Sequence, residues 1–368
     1  MRVLSGFAAA ACATDYFYTH FHPQPLKNWL NDPNGPMYFN GFYHLFFQYN
    51  PNDYKWGDMH WYHMRSADLL HWEHLPVALA PDQPYDCGGI FSGSATIVRN
   101  TTTGEDVPIL QYSVACGKAV INAVPADVTD PKLVEWVKPG YNPIINVPKE
   151  ITGGFRDPTT AWKGSDGVWR LLVGCGNNVG TCQYKSKDFL AWTYVGQFHY
   201  HGTGMWECPD FYPLESGKYV LKASDSGDWW AVGEYKENAD PSKPDSFVPS
   251  AADVHDNDQK YDFGTFYASK TFRDPKGNRH ILFGWANYHC DDTNWAGIQT
   301  FPRTVASDPE DDTRIVTNPI VEIEKLRNTT VQEANVTVAP GASYTLKQGG
   351  NQLDLELVLG QGGGPGAQ

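Results

Sequence analysis

The sequence predicts an all-β fold: a five-bladed β-propeller followed by the start of a β-sandwich that looks incomplete. Short aromatic and β-branched runs separated by Gly, Asp, Asn and Pro turns fill the chain, without long helical periodicity, as expected for many short strands. Two internal repeats recur between residues 15 and 320, and self-similarity at a regular interval marks a repeat architecture. After Pro319 the composition changes to a few isolated alternating segments and a Gly-rich tail.

At the amino terminus, Arg2 precedes an apolar stretch from Val3 to Ala11, and Ala11-Cys12-Ala13 has the small-x-small form of a signal-peptidase site. Residues 1–13 are therefore read as a short signal peptide. Sequons at Asn100, Asn328 and Asn335 agree with a secreted or other secretory-compartment glycoprotein.

Residues 14–320 hold the blades. Ser66-Ala-Asp-Leu-Leu-His-Trp72 and Ser186-Lys-Asp-Phe-Leu-Ala-Trp192 share one pattern, S-x-D-apolar-L-x-W. A second series puts a turn Gly before an alternating strand: Asn40-Gly41, Asp166-Gly167, Ser216-Gly217 and Lys276-Gly277. Upstream of each lies an acid beside or near Pro: Asp32-Pro33, Asp157-Pro158, Glu207-Cys-Pro209-Asp210 and Asp274-Pro275. Four-stranded units closing radially make a propeller, whose axial channel collects residues from every innermost strand. Acids distant in sequence can thus converge. Counting units gives four to five blades of roughly 60 residues, with five preferred. In residues 321–368, Asn335-Val-Thr-Val, Ser343-Tyr-Thr-Leu and Gln352-Leu-Asp-Leu-Glu-Leu-Val-Leu359 alternate like strands. Three strands cannot close a sandwich, so this region is expected to be a partial second domain.

Composition narrows the function. Of the 368 residues, 41% are hydrophobic and 19% charged, the balance of a chain with a sizeable core. A net charge of -14 argues against nucleic acid, which needs Lys and Arg to neutralise phosphates. No apolar run reaches the ~18 residues that would span a membrane. A neutral small molecule fits better, and 13 Trp and 20 Tyr supply rings suited to the apolar faces of sugars, besides packing cores. The cysteines (12, 87, 116, 175, 182, 208, 290) form no CxxC pair, so neither a zinc site nor another cofactor is expected. Cys175 and Cys182 are spaced to close a hairpin disulfide, and the connectivity of the others stays open.

Glycoside hydrolysis needs two carboxyl groups flanking the scissile bond. Three segments offer them. In Asn28-Trp-Leu-Asn-Asp-Pro-Asn-Gly-Pro-Met37, Asp32 sits among backbone-fixing Pro and Gly, and Asn31 adds an amide for sugar hydroxyls. In Gly154-Phe-Arg-Asp-Pro158, Arg156 beside Asp157 favours the ionised carboxylate. In Met205-Trp-Glu-Cys-Pro-Asp210, Trp206, Cys208 and Pro209 suggest apolar surroundings that favour a protonated Glu207, as a general acid needs. Each segment alone reads as structural: a turn, a strand-end ion pair, an edge-packing motif. Their occurrence together, in this order, gives them catalytic meaning.

These segments, with Phe47-Gln-Tyr-Asn-Pro51, Lys55-Trp-Gly57, Phe91-Ser-Gly-Ser-Ala95, Tyr261-Asp-Phe-Gly-Thr-Phe-Tyr-Ala268 and Trp295-Ala-Gly-Ile-Gln-Thr-Phe-Pro-Arg303, resemble glycoside hydrolase family 32, the invertases, fructan hydrolases and fructosyltransferases. The resemblance runs from Trp29 to about Arg303. It implies a five-bladed propeller carrying a β-sandwich, and a metal-independent double displacement on sucrose or a fructo-oligosaccharide. By motif position it makes Asp32 the nucleophile, Asp157 the stabiliser gripping fructose hydroxyls and Glu207 the acid/base. Asn31, Gln48, Trp56, Phe91, Ser92 and Arg156 would line the fructose pocket, together with Trp29, which resembles hydrolases at a position that often changes in plant transferases. Pro209 after Trp-Glu-Cys is the form more typical of cell-wall enzymes. Lys222-Ala-Ser-Asp-Ser-Gly-Asp228 matches only loosely the stretch where plant invertases place an acid that helps recognise sucrose, leaving Asp225 and Asp228 as alternatives. Fructosyl transfer, fructan exohydrolysis and sugar binding without turnover are the competing functions. Because carboxyl groups carry all the implied chemistry, hydrolysis of sucrose should survive exhaustive chelation; loss restored by one divalent ion would contradict the mechanism.

Overall fold

The computed structural model describes residues 18–176, 180–199, 205–250, 259–289, 293–333, 335–339, 341–350 and 352–358. The expected signal peptide, with Cys12, lies outside them, as does Cys290. Phe21–Ile320 forms one compact unit, and Val321 onward, with the chain up to His20, a second.

The first unit is a five-bladed propeller. The blades are β1 (Asn28–Phe39), β2 (Phe42–Asn50), β3 (His60–Ser66) and β4 (Trp72–Leu79); β5 (Ile90–Arg99), β6 (Asp106–Val114), β7 (Ala119–Pro125), β8 (Trp136–Val137) and β9 (Ile145–Asn146); β10 (Phe155–Arg156), β11 (Trp162–Lys163), β12 (Trp169–Cys175), β13 (Thr181–Ser186) and β14 (Thr193–His199); β15 (Glu207–Pro213), β16 (Tyr219–Ser224), β17 (Asp228–Lys236) and β18 (Ser246–Pro249); and β19 (Phe266–Asp274), β20 (Arg279–His289), β22 (Arg303–Ser307) and β23 (Ile315–Pro319). The remaining strand, β21 (Trp295–Gln299), closes the ring: it pairs antiparallel with β20 and parallel with the start of β1, Asn28 opposite Trp295 and Trp29 opposite Ala296. The first and last blades thereby share one continuous sheet, in which the two edges that would otherwise gape are hydrogen-bonded.

Both sequence repeats are structural units. Leu69 and Phe189 each take φ 67° in the S-x-D-x-L-x-W turns that join β3 to β4 and β13 to β14. The Asp68 carboxylate accepts the amides of Leu70 and His71, and that of Asp188 those of Leu190 and Ala191. Each tryptophan then donates its indole N–H to the carbonyl at the positive-φ residue, 3.1 Å in both copies. Gly41, Gly167 and Gly217 sit in hairpins at φ 77° to 90°. In the last blade Asn278 takes that conformation in place of Gly277, and in the second blade Gly104 supplies a hairpin that the repeat pattern did not include.

Apolar side chains alternate along the strands and fill the space between successive blades. Met37, Phe46 and Trp61 of the first pack on Leu110 and Tyr112 of the second. Val120 and Ile145 meet Phe155, Leu171 and Val173 of the third, and Leu172 meets Trp206, Phe211 and Leu221 of the fourth. Tyr212, Val220 and Trp230 then pack on Phe266, Leu282 and Val305 of the fifth. Tyr43 and Trp72 close the circle through ring contacts with Phe272 and Phe283. Disulfides join Cys175 to Cys182, across the β12–β13 hairpin, and Cys87 to Cys116, while Cys208 is a buried thiol.

The second unit contains the residues of the expected partial domain. It begins with a 3-10 helix, Val321–Leu326, and the described residues after it form no strand. The alternating positions Val336, Val338, Tyr344, Leu346, Leu353, Leu355 and Leu357 are exposed. An alternating segment becomes a strand by burying one face against another layer, and these apolar side chains have no such cover.

Ring closure is most sensitive at Gly297, where φ is +85° and an added Cβ would lie 2.2 Å from the Leu30 carbonyl oxygen. Gly217 has nearly the same φ, +86°, but open space around it. Gly217→Ala should thus cost only the left-handed backbone strain, ~1–2 kcal/mol. Gly297→Ala should cost a further ~1–3 kcal/mol for the forced overlap. Paired urea melts of the two variants would measure the difference, and equal losses would remove β21 as the closure.

Candidate active site

An antiparallel strand alternates its side chains between two faces, which would aim successive residues of an innermost strand into the two flanking blade interfaces. The register slips where the candidate acids lie. On β1 it shifts between Leu30 and Pro33, bracketing Asn31 and Asp32; on β5 between Ile90 and Gly93, bracketing Phe91 and Ser92. On β15 it shifts between Glu207 and Asp210, and on β19 between Tyr267 and Lys270. In the third blade, Asp157 follows the two-residue strand β10 at φ 64°. Such bulges re-aim side chains, and their repetition gathers residues from all five blades.

The gathered groups form one connected set. Ser92 donates its hydroxyl to Asp32 Oδ2 at 2.6 Å, and Asn31 donates its amide to Oδ1 at 3.0 Å. Trp29 holds the Asn31 carbonyl oxygen through its indole N–H at 2.7 Å, and Gln299 donates to the Asn31 backbone carbonyl. The Cys208 thiol lies 3.4 Å from Asp32 Oδ2 and 3.6 Å from Asp157 Oδ2, and the Cys208 amide donates to the same Asp157 oxygen at 2.9 Å. Arg156 sits 3.9 Å from Asp157 and donates from Nε and Nη2 to Glu207 Oε1, at 3.1 and 2.6 Å. Tyr267 donates its phenol to the other Glu207 oxygen at 2.6 Å.

The electrostatics follow from this enclosure. Desolvation raises Asp32 above the ordinary carboxylate range; donors from Ser92, Asn31 and Cys208 oppose it, and the Glu207 charge adds to it. Asp157 is pushed up to about 6, again by burial first, with Arg156 pulling down and the Asp32 and Glu207 charges pushing up. Arg156 thus acts in the expected direction but is outweighed. Glu207 does not lie in the expected apolar nest: its side chain is 34% exposed and faces a guanidinium and a phenol. The reason is strand alternation, since its neighbour Trp206 is turned into the core between the third and fourth blades.

The other expected pocket residues lie on the β1–β5 side. Gln48 donates to the Ile90 carbonyl, next to Phe91, and the Trp56 ring, 59% exposed, stands 6.2 Å from that of Phe91. Asn34 accepts the Gly93 amide and so fixes the segment that carries Ser92. None of the contacts of Gln48 or Trp56 reaches an acid directly. Asp274, the last of the acids near Pro, is not in the site: at the far end of β19 it accepts the Tyr43 hydroxyl and pairs with Arg279. The fifth blade contributes Tyr267 instead, which lies in a motif noticed for its family likeness without a role assigned to it. Of the two alternatives for a sugar-recognising acid, Asp228 is buried and committed to Ser224, Lys222 and the amides of Ala268 and Ser269. Asp225 is half-buried and lines a pocket with His199, Trp206, Trp229 and Trp230. Among the described residues no cluster of His, Cys, Asp and Glu has the arrangement of a metal site.

Residues 20–319 match the Glycosyl hydrolases family 32 N-terminal domain. The chain is 42% identical to beta-fructofuranosidase, insoluble isoenzyme 1, of Oryza sativa subsp. indica, over 95% of this chain and 64% of that protein. It is 41% identical to the vacuolar acid beta-fructofuranosidase 1 of a Rosa hybrid cultivar, over 92% and 61% respectively. Among solved structures, fructan 1-exohydrolase IIa from Cichorium intybus superposes with a TM-score of 0.77 at 37% identity, covering 86% of this chain and 63% of that one. The chain therefore spans somewhat under two thirds of the length of these relatives. With a five-bladed propeller, acids gathered from its innermost strands and a match across that whole propeller, the chain belongs to glycoside hydrolase family 32.

Proposed function

We propose that this chain is a retaining β-fructofuranosidase that hydrolyses sucrose through a fructosyl-enzyme intermediate. The observation that carries the reading is the linked set of Asp32, Asp157, Arg156 and Glu207, in which a hydroxyl and an amide hold Asp32 while the Arg156 guanidinium bonds Glu207 and lies 3.9 Å from Asp157. Asp32 attacks the anomeric carbon of the fructosyl unit as Glu207 gives its proton to the departing glycosidic oxygen. Glu207 then takes a proton from water, which displaces Asp32 and releases fructose of retained configuration. Asp157, Arg156 and Asn31 bind fructose hydroxyls, and Trp29, Trp56, Phe91, Gln48 and Ser92 shape and brace the pocket. Asp225 is the candidate acid for the leaving sugar, since Asp228 is already occupied by backbone amides. The relatives named insoluble and vacuolar support a secretory-pathway location.

A fructan preference is the second reading, favoured by the likeness to the chicory fructan exohydrolase. Product analysis with sucrose, inulin and levan side by side separates the two.

Two experiments test the roles. Glu207→Ala should lose ~10²- to 10⁴-fold in kcat on sucrose through lost acid/base assistance. With a substrate whose leaving group needs no proton, azide should intercept its intermediate and give a β-fructosyl azide. Asp32→Ala should form no retained-configuration adduct, and the opposite pattern would exchange the two roles. The second test uses the proton balance. Asp32 must be ionised to attack, so activity falls as pH drops through its pKa. The Ser92 hydroxyl stabilises that ionised form. Ser92→Ala should therefore raise the Asp32 pKa and move the acid limb of kcat/KM to higher pH; a limb that stays in place would assign it to Asp157 or another group.

A further inference from the structure

A register slip frees backbone groups as well as re-aiming side chains. The slips on β15 and β19 take Cys208, Ala268 and Ser269 out of the regular ladder, with Cys208 at φ 44° and Ala268 at φ 55°. Freed N–H and C=O groups in a buried place need other partners. Four of them find the same two side chains. Asp228 accepts the Ala268 amide on Oδ1 at 3.0 Å and the Ser269 amide on Oδ2 at 2.7 Å. Lys222 donates to the Cys208 carbonyl at 3.1 Å and to the Ser269 carbonyl at 2.9 Å. The two charges pair at 3.1 Å and share Ser224, whose hydroxyl donates to Asp228 and accepts from Lys222. Both are 1% exposed.

A buried ion pair is weak evidence for stability, because desolvation costs as much as the attraction returns. Its placement is therefore better explained by what it holds. The β15 slip sets Glu207 and the β19 slip sets Tyr267, and these two side chains meet in the 2.6 Å bond between phenol and carboxylate. We propose that Lys222 and Asp228 are positioning residues for acid/base catalysis: one ion pair locks both bulges in mutual register, so that the Tyr267 phenol and the Arg156 guanidinium hold Glu207 aimed at the glycosidic oxygen. This rests on the assignment of Glu207 as acid/base.

The test compares two substrates in Asp228→Asn and in the double variant Lys222→Met/Asp228→Asn, which leaves no unpaired buried charge and so guards against misfolding. On sucrose, both variants should lose about 10- to 100-fold in kcat, part of the ~10²- to 10⁴-fold that acid/base assistance supplies, with KM changed less than about threefold. On an aryl β-fructofuranoside with azide present, a reaction that needs neither proton donation nor general-base help, both should stay within about threefold of the unaltered protein. Equal losses on the two substrates would show a merely structural pair and overturn the proposal. So would a folded double variant, verified by its thermal melt, that turns over sucrose at the unaltered rate. If the unaltered protein acts on neither substrate, the β-fructofuranosidase reading itself falls and takes this inference with it, whereas an active parent with unaffected variants sinks the inference alone.

Discussion

The constraint on which the site depends is that an innermost strand cannot both stay in register and look down the channel. A regular strand would deliver Asp32, Ser92, Glu207 and Tyr267 into blade interfaces already packed with Trp61, Tyr112, Phe211 and Phe266. Slipping the ladder at each one turns these residues inward. Slips bring positive-φ residues, costly for anything but glycine, and such conformations persist only where the surroundings over-determine them. Those surroundings are cross-blade bonds: Asn34 to the Gly93 amide, the Ser113 hydroxyl to the Asp157 amide, the Asp157 carboxylate to the Cys208 amide, Asp228 to Ala268 and Ser269. Each joins one blade to the next. The ring is accordingly not a neutral scaffold beneath a site; the contacts that join its successive blades are those that hold the acids.

Gathering three carboxyl groups, two of them beside one guanidinium, sets the electrostatic character. Burial raises both Asp32 and Asp157, and repulsion from the neighbouring carboxylates, Glu207 on Asp32 and both Asp32 and Glu207 on Asp157, pushes the same way. Donors are therefore distributed unequally. Asp32 receives three from side chains, which favours its charged form, whereas Asp157 has the Cys208 amide, its thiol, and Arg156 at longer range. The guanidinium spends its close bonds on Glu207. One arginine thus cannot offset the burial of every acid, and Asp157, which it reaches at 3.9 Å and pulls down, is still pushed up to about 6 by desolvation.

What could be read in the sequence was what repeats. Turn glycines and the S-x-D-x-L-x-W motif gave the blades because each encodes a local conformation, a positive φ plus an Asx-type cap, that forms the same way wherever it occurs. Asp32, Asp157 and Glu207 were legible because each sits in a distinctive short segment. The environment of Glu207 was not, since neighbours in sequence fall on opposite faces of a strand: Trp206 and Cys208 say little about what meets its carboxylate. Tyr267 escaped for a related reason. The acid-near-Pro pattern pointed to Asp274, and only the three-dimensional register reveals that β19 presents its other end to the channel, leaving Asp274 to tie the fifth blade to Tyr43 of the first. The alternation after Pro319 forms no strand among the described residues, because period-2 patterning makes a strand only when something covers its apolar face.

The placement of buried cations follows the same logic as that of the acids. Lys222 and Lys270 lie beneath the site, donating to the carbonyls of Cys208 and Pro209, while Asp210 receives the amide and hydroxyl of Thr271 across the same interface. Apolar residues of similar size would fill this space, yet they would leave the carbonyls and amides released by the slips without partners. Lysine offers three donors on a flexible stem and aspartate several acceptor positions, so one of each can serve strands whose backbones diverge. In the third and fourth blades, where Arg170 and Lys185 meet Asp245, an equally buried cluster ties β12 and β13 to the segment leading into β18. Arg170 and Lys185 of the third blade thus meet Asp245 of the fourth, and Lys222 with Asp228 ties the fourth blade to backbone groups of the fifth, the register that, on the proposed reading, aims the acid/base.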